Sequence, residues 1–255
     1  MKKIILLFFI FLSINIHSQE LNQSFSHGEW LKYRVHYGII NAGYATLSIA
    51  EIKTDQNEQY HAVAKGWTTG ILNWIFKVRD QYESFFDKEE LLPNHFKRRV
   101  DEGGYTIKRD IYFDHHEKKA LIEDHKLQKK IKADIGQIQD MVSAFYYLRT
   151  QKVDTLSIGH SLGLNLFFDA NTFAFQLKYL GKERINTKFG KIDCYKMRPE
   201  VQAGRIFKKQ ESITMWISAD GNKIPIRLKA DLRVGSVKMD LEQYKGLSQP
   251  FPLIL

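Results

Sequence analysis

The strongest constraint on this chain is a run of segments in which apolar and polar residues alternate with a period of two. Leu31, Tyr33, Val35 and Tyr37 are interleaved with Lys32, Arg34 and His36. Phe173, Phe175, Leu177 and Tyr179 are interleaved with Ala174, Gln176 and Lys178. Ile226, Leu228, Ala230, Leu232 and Val234 are interleaved with Arg227, Lys229, Asp231 and Arg233. Successive side chains of a strand point to opposite faces, so this period marks strands with one face buried and one face wet. Ile213, Met215 and Ile217 repeat the pattern, and further strands are expected at 44–53, 58–67, 77–86, 95–101, 105–114, 117–124, 126–132, 162–168, 190–198 and 236–244.

The connections are short and carry turn chemistry. Asp101-Glu102-Gly103-Gly104 and Ala219-Asp220-Gly221-Asn222 each sit between two alternating segments, and Gly235-Ser236 separates the last two. Asp-Gly is a strong hairpin signal, and connections this short join antiparallel neighbours. One segment changes period. Ile135, Ile138, Val142, Phe145 and Leu148 follow helical spacing, with Asp134 as the expected N-cap. A shorter helical turn is expected from Gly70 to Phe76. Many strands and one helix exclude a βαβ layout. The expected architecture is mainly β: a single large curved antiparallel sheet or partial barrel with one long amphipathic helix packed on it.

The first residues constrain location. Lys2 and Lys3 precede an apolar run from Ile4 to Ile16, and Ser18 offers a small residue for cleavage. That order is a secretory signal peptide, and roughly 13 apolar residues fall short of the ~20 a spanning helix needs. The expected division is therefore 1–18 signal peptide and 19–255 one β-rich exported domain, periplasmic or secreted, with no transmembrane span in the mature chain. Cys194 is the only cysteine, so a disulfide scaffold is impossible and no lipoprotein cysteine stands at the cleavage site. In its strand-like surroundings it reads as a small buried hydrophobe. The formal charge is +9, and +7 once Lys2 and Lys3 leave with the leader. A basic surface outside the cytoplasm meets phospholipid head groups and acidic glycans rather than nucleic acid.

Three constellations bear on chemistry. Gly159-His160-Ser161-Leu162-Gly163 matches G-x-S-x-G, but the nucleophile elbow needs a strand before the serine and a helix after it. Leu164 to Asp169 reads as strand, so a turn accounts for the match and a serine hydrolase through Ser161 is the remote alternative. Asp114-His115-His116 with His125 contains metal-ligating residue types, yet neighbouring histidines on a strand point to opposite faces; no metal and no cofactor is expected. The third is a charge conflict. Arg109 shares an apolar face with Tyr105, Ile107, Ile111 and Phe113, and Asp80 shares one with Val78, Tyr82 and Phe86. Buried charges must pair, so Asp80 and Arg109 are expected to bond to each other.

Aromatic residues are dense from Tyr60 to Phe86. Trp67 to Phe76 reads as a strand leaving the sheet into an apolar turn, either plugging the core or forming the lip of a hydrophobic cavity. On the helix, Asp140, Ser143 and Tyr147, with Arg149 beyond, form a second stripe that could bond to the sheet. The candidate ligand-binding residues are Trp67, Trp74, Phe76, Asp80, Tyr82, Arg109 and Tyr147, with no catalytic residue among them.

Taken in order, GEWLKYRVHYGIINAGYATLSI (28–49), TTGILNWIFKVRDQYESFFD (68–87), GYTIKRDIYFD (104–114), DMVSAFYYLR (140–149) and WISADGNKIPIRLKADLRVGSVKMDL (216–241) resemble the domain of unknown function 3108 family of exported bacterial proteins. The resemblance implies an open, half-barrel β fold and no reaction. The WISADGNKIPIRL hairpin is also similar in style to the outer-membrane lipoprotein carriers, which hold acyl chains in a curved sheet beneath helices; this chain has one long helix where they have several. The function expected is a non-enzymatic binder of a lipid-like apolar or amphipathic ligand. The alternative is a structural or protein-interaction module of the cell envelope.

Overall fold

The computed structural model describes residues 24–53, 58–200, 213–232 and 234–254. The expected signal peptide and Arg233 lie outside the described residues. Eight strands come first: β1 (Trp30–Tyr37), β2 (Ile40–Lys53), β3 (Glu58–Thr68), β4 (Arg79–Asp87), β5 (Pro93–Glu102), β6 (Tyr105–Asp114), β7 (Lys119–Asp124) and β8 (Lys129–Asp134), with a one-turn helix α1 (Gly70–Ile75) between β3 and β4. The helix α2 (Met141–Thr150) follows. Six more strands follow among the described residues: β9 (Ser161–Phe168), β10 (Asn171–Thr187), β11 (Gly190–Glu200), β12 (Ile213–Ser218), β13 (Pro225–Asp231) and β14 (Ser236–Lys245).

All fourteen strands form one antiparallel sheet, ordered β8-β7-β6-β5-β4-β3-β2-β1-β14-β13-β12-β11-β10-β9. Every neighbouring pair except β1/β14 is consecutive in sequence, and α2 carries the chain from one edge strand, β8, to the other, β9. The sheet is the mainly β, curved, unclosed architecture that the alternation predicts. The outer strand β8 is almost wholly exposed and carries Lys129, Lys130 and Lys132, which guard an unpaired edge against further pairing.

Register puts one set of side chains on the inner face. Rungs such as Leu47–Ala64–Tyr82–Arg98–Arg109–Asp124 run across β2 to β7. The inner face packs α2 against an aromatic core that includes Phe25, Tyr60, Phe86, Phe96, Phe113 and Tyr146. Ring pairs meet at 4.8 Å (Phe25–Tyr146), 5.5 Å (Tyr60–Phe86) and 5.4 Å (Phe113–Phe167), in tilted or edge geometries that such rings favour. A second cluster under β1, β10, β11, β13 and β14 contains Leu31, Ile192, Cys194, Ile224 and Ile226.

The helix begins later than its apolar spacing predicts, at Met141 rather than near Ile135. Ile135 and Ile138 are buried, but in irregular chain that bends at Gly136 and Gln137. Asp140, not Asp134, is the cap. Its Oδ1 accepts from the backbone N–H groups of Val142 (2.7 Å) and Ser143 (2.8 Å), and the Ser143 hydroxyl accepts from the Asp140 N–H at 3.0 Å. The preceding Gln139 is held as an extended residue by two backbone bonds to β9, at 2.8 Å each, from its N–H to the Asn165 carbonyl and from the Phe167 N–H to its own carbonyl. A helix cannot include a residue whose backbone is committed to a strand.

Candidate functional site

Polar anchors fix α2 at both ends. At the start, the Ser84 hydroxyl of β4 donates to Asp140 Oδ2 at 2.5 Å. Burial raises the Asp140 carboxyl to about 6, against the lowering effect of these donors. At the far end, Arg149 makes a bidentate pair with Glu29 at 2.6 and 2.7 Å, and donates to the backbone carbonyls of Ser24 and Asn222. Both side chains are buried, and the guanidinium lies 5.4–5.6 Å from the ring centres of Phe25, Phe145 and Tyr146. Burial opposes the Arg149 charge, yet Glu29 more than offsets it and the pKa stays raised. Such a pair costs desolvation energy and fixes geometry in return.

Between these anchors the flanks of α2 are not filled. On the side facing β9, β10, β12 and β13 lies a space of about 400 Å³. Leu148, Leu162, Leu177, Met215, Ile217 and Leu228 contribute to its walls, which are almost entirely apolar. On the side facing β1 to β4 lies a second space of about 300 Å³, where Ala45, Ala64 and Gly66 are too short to reach the helix. Met141, Phe145 and Pro225 line both. The second space carries the polar groups. Asp80, Tyr82 and Tyr33 are on its wall. The Tyr33 hydroxyl is buried and has no hydrogen-bond partner among the described residues. Burial holds its proton on, far above the usual tyrosine range. Burial, with Glu102 alongside, also raises Asp80 to about 6. This composition suits a ligand that is mostly hydrocarbon with a hydrogen-bonding oxygen at one point.

The seven sequence-predicted residues divide. Asp80 and Tyr82 line the second space. Trp67 and Trp74 line an open concavity outside it with Thr69, Ile71 and Arg79. The 67–76 segment neither plugs the core nor roofs a cavity: α1 buries none of its residues, and Phe76 lies half-exposed against the turn at Gly103. Tyr147 is half-buried against the aromatic core and lines neither space. Arg109 does not bond Asp80. It donates from Nε to Asp124 Oδ2 at 2.7 Å and from Nη1 to Asp169 Oδ1 at 2.7 Å. Arg98 donates to the same Asp169 oxygen at 2.8 Å, while Asp80 accepts from the Asp101 N–H at 3.2 Å. Asp124 sits on the same rung as Arg109, whereas Asp80 is off it, so the nearer carboxylate wins. Burial works against the Asp124 charge, but Arg109 and two backbone N–H groups prevail and hold its pKa below the ordinary value. Since Asp169 lies in the β9–β10 turn, Arg98 and Arg109 tie the hairpin at the far edge of the sheet to β5 and β6. That contact curls the sheet around α2.

The remaining candidates fall elsewhere. Ser161 is exposed and opens β9, with strand and not helix after it. His115 contacts the Pro93 carbonyl, His116 contacts Glu117 and His125 contacts Asp110, so the histidines diverge. Cys194 is fully buried, which pushes its thiol up to about 12. The residues that sequence reasoning missed are those of the cavity walls, above all Tyr33, Met141, Phe145 and Pro225. Phe145 was visible only as a core position, and the short residues Ala45, Ala64 and Gly66 gave no signal that their shortness leaves space.

Fold and site together define an open, curled fourteen-stranded sheet wrapped around a single clamped helix, with apolar space left along the helix. The chain matches the family described as "Protein of unknown function (DUF3108)" over residues 32–242 and belongs to that family. A search of curated proteins finds no match. Among solved structures it is similar to a beta-barrel-like protein of domain of unknown function DUF1849 from Brucella abortus. The TM-score is 0.57 at 12% identity, over 87% of this chain and 98% of that one. A "putative lipoprotein" from Parabacteroides distasonis aligns over 86% of this chain and 96% of that one, at 10% identity and a TM-score of 0.34. The first of these bears on the fold alone. Among the described residues no helix is long and apolar enough to cross a membrane.

Proposed function

We propose that the protein is an exported, non-enzymatic carrier or sensor that holds one amphipathic, lipid-like ligand in the apolar space beside α2. The observation that carries this reading is the roughly 400 Å³ of space walled by leucine, methionine, isoleucine and phenylalanine beneath a helix fixed at both ends. Protein interiors are close-packed, and unfilled apolar volume forfeits dispersion contacts, so a chain gains by having an occupant there. The volume falls within the ~300–1,000 Å³ of small-molecule sites. The ligand's hydrocarbon part would fill this space, while Tyr33, Tyr82 and Asp80 belong to the smaller space that shares only Met141, Phe145 and Pro225 with it. The signal-peptide pattern supports delivery to the envelope or beyond it, where such ligands are abundant. The likeness of the WISADGNKIPIRL hairpin to lipoprotein carriers points the same way by analogy of architecture.

The rival reading, a structural or protein-interaction module of the envelope, draws on the exposed apolar side chains at one end of the sheet. Native mass spectrometry and organic extraction of protein purified from its own envelope separate the two. A stoichiometric amphipathic molecule supports the carrier; protein that is consistently empty overturns it.

A further inference from the structure

The two ends of the sheet differ in what they expose. At one end, four hairpin turns follow one another along eight adjacent strands: β6/β5, β4/β3, β2/β1 and β14/β13. Each presents large apolar side chains to solvent. They are Tyr105 in the first, Ile71, Trp74, Ile75 and Phe76 in the second, Ile39 and Ile40 in the third, and Val234 in the fourth. Trp74 is 91% exposed and Ile39 entirely so. Leu127 in the β7/β8 turn and Phe173 beside the β9/β10 turn extend the same rim. The opposite end is built differently. Its turns carry Lys88-Glu89-Glu90, His115-His116-Glu117-Lys118 and Asp220-Gly221-Asn222-Lys223, and its apolar turn residues Leu91 and Ile224 are buried. Away from this rim, Leu253 at the opposite end and Ile158 before β9 are also exposed, but scattered exposed apolar residues are ordinary, whereas a row of them concentrated along one rim marks an interaction surface.

Charge identifies the partner. No acidic residue occurs between Thr68 and Arg79, and Lys77 and Arg79 stand directly behind the apolar tip, with Lys77 3.5 Å from Asp101 of the neighbouring hairpin. The Arg79 guanidinium donates to the backbone carbonyls of Thr68 and Val78. Lys126 lies over the Tyr105 ring. Aliphatic and tryptophan side chains at a tip, with cations just behind, match the layering of acyl chains beneath anionic head groups. A chain whose net charge is +9, or +7 once Lys2 and Lys3 leave with the leader, is drawn to such a surface. The rim is also the near side of the polar-walled space: the cavity rung Ala45–Gly66–Asp80 is one position from the rung Tyr44–Trp67–Arg79 that borders α1.

We infer that this rim docks on a lipid bilayer containing anionic phospholipid, with Ile71, Trp74 and Ile75 entering the acyl region and Lys77 and Arg79 at the head groups. The inference goes beyond the proposed ligand site and stands whether or not the cavity holds a ligand.

Vesicle flotation of the purified protein tests it, using phosphatidylcholine alone and phosphatidylcholine mixed with phosphatidylglycerol. Wild type floats with the mixed vesicles and far less with the neutral ones, and salt weakens the binding. The double variant Ile71→Ser/Trp74→Ser, changed only at exposed positions, binds at least about tenfold more weakly with an unchanged circular dichroism spectrum. The opposite-end variant Leu253→Ser binds as wild type does. Equal flotation on neutral vesicles, full binding by the double variant, or no wild-type flotation would each overturn the inference, and rim-dependent self-association in sedimentation would then assign the rim to a second copy of the chain. Extraction of an empty protein would count against the carrier reading and leave this one untouched.

Discussion

The same helix rests on two differently filled parts of one sheet. Where α2 meets β3 to β6, aromatic rings pack in edge, tilted and stacked pairs, and Tyr146, Phe86 and Phe96 are almost completely buried. Where it meets β9, β10, β12 and β13, aliphatic side chains of similar hydrophobicity leave about 400 Å³ open. The contrast shows that hydrophobic content alone does not decide whether a surface becomes core or site. Rings from several strands fill depth, while leucines and methionines on a strongly curved sheet cover the walls and stop short of the centre. The clamps at Asp140 and Arg149 keep the helix from collapsing into the gap.

Breaking a clamp tests that last point and carries the largest expected effect. Glu29→Ala leaves Arg149 buried without its carboxylate partner, at a cost of roughly 3–5 kcal/mol in urea denaturation. A loss below about 1 kcal/mol would mean that the helix is held by apolar packing instead. Adding volume to each part sharpens the contrast directly. Ala62, fully buried in the aromatic part, has no room, so Ala62→Phe destabilises by about 1–3 kcal/mol. Ala144 lines the open part, so Ala144→Phe changes the melting temperature little or raises it.

The smallest effect is a pH dependence. The Asp140 carboxyl has a folded pKa of about 6 against an ordinary 3.8. The folded state therefore binds more protons than the unfolded chain between those values, and this contribution to stability is present at low pH and lost as pH rises through about 6. Asn caps helices as well as Asp does but does not titrate. The difference in melting temperature between wild type and Asp140→Asn should thus fall from about pH 4 to about pH 6 and then level off. A flat difference would show that the cap is ionised throughout.

The sheet was legible because period-two alternation survives on nearly every strand and the turn residues mark the ends. The site was legible only in part. Asp80 and Tyr82 stood out as polar residues on an apolar face, and both line the cavity. Arg109 stood out for the same reason, but its partner depends on which rung of the sheet each carboxylate occupies, and Asp169 reaches it from the far hairpin only because the sheet curls. Trp67 and Trp74 drew attention as large aromatics, yet sequence does not distinguish an aromatic that fills a core from one displayed at a rim. The cavity walls are ordinary aliphatic strand residues, and the space between them comes from curvature and side-chain length summed over elements far apart in the chain. The helix start shifted because Gln139 bonds to β9, a contact outside the reach of any local pattern.

The most direct test of the ligand site is native mass spectrometry with organic extraction, run in parallel on wild type and Ala144→Phe purified from the producing envelope. Wild type should carry one amphipathic molecule per chain, and the filled variant, folded and equally stable, should carry little or none. Empty wild-type protein, or equal loading of the two, would contradict the account.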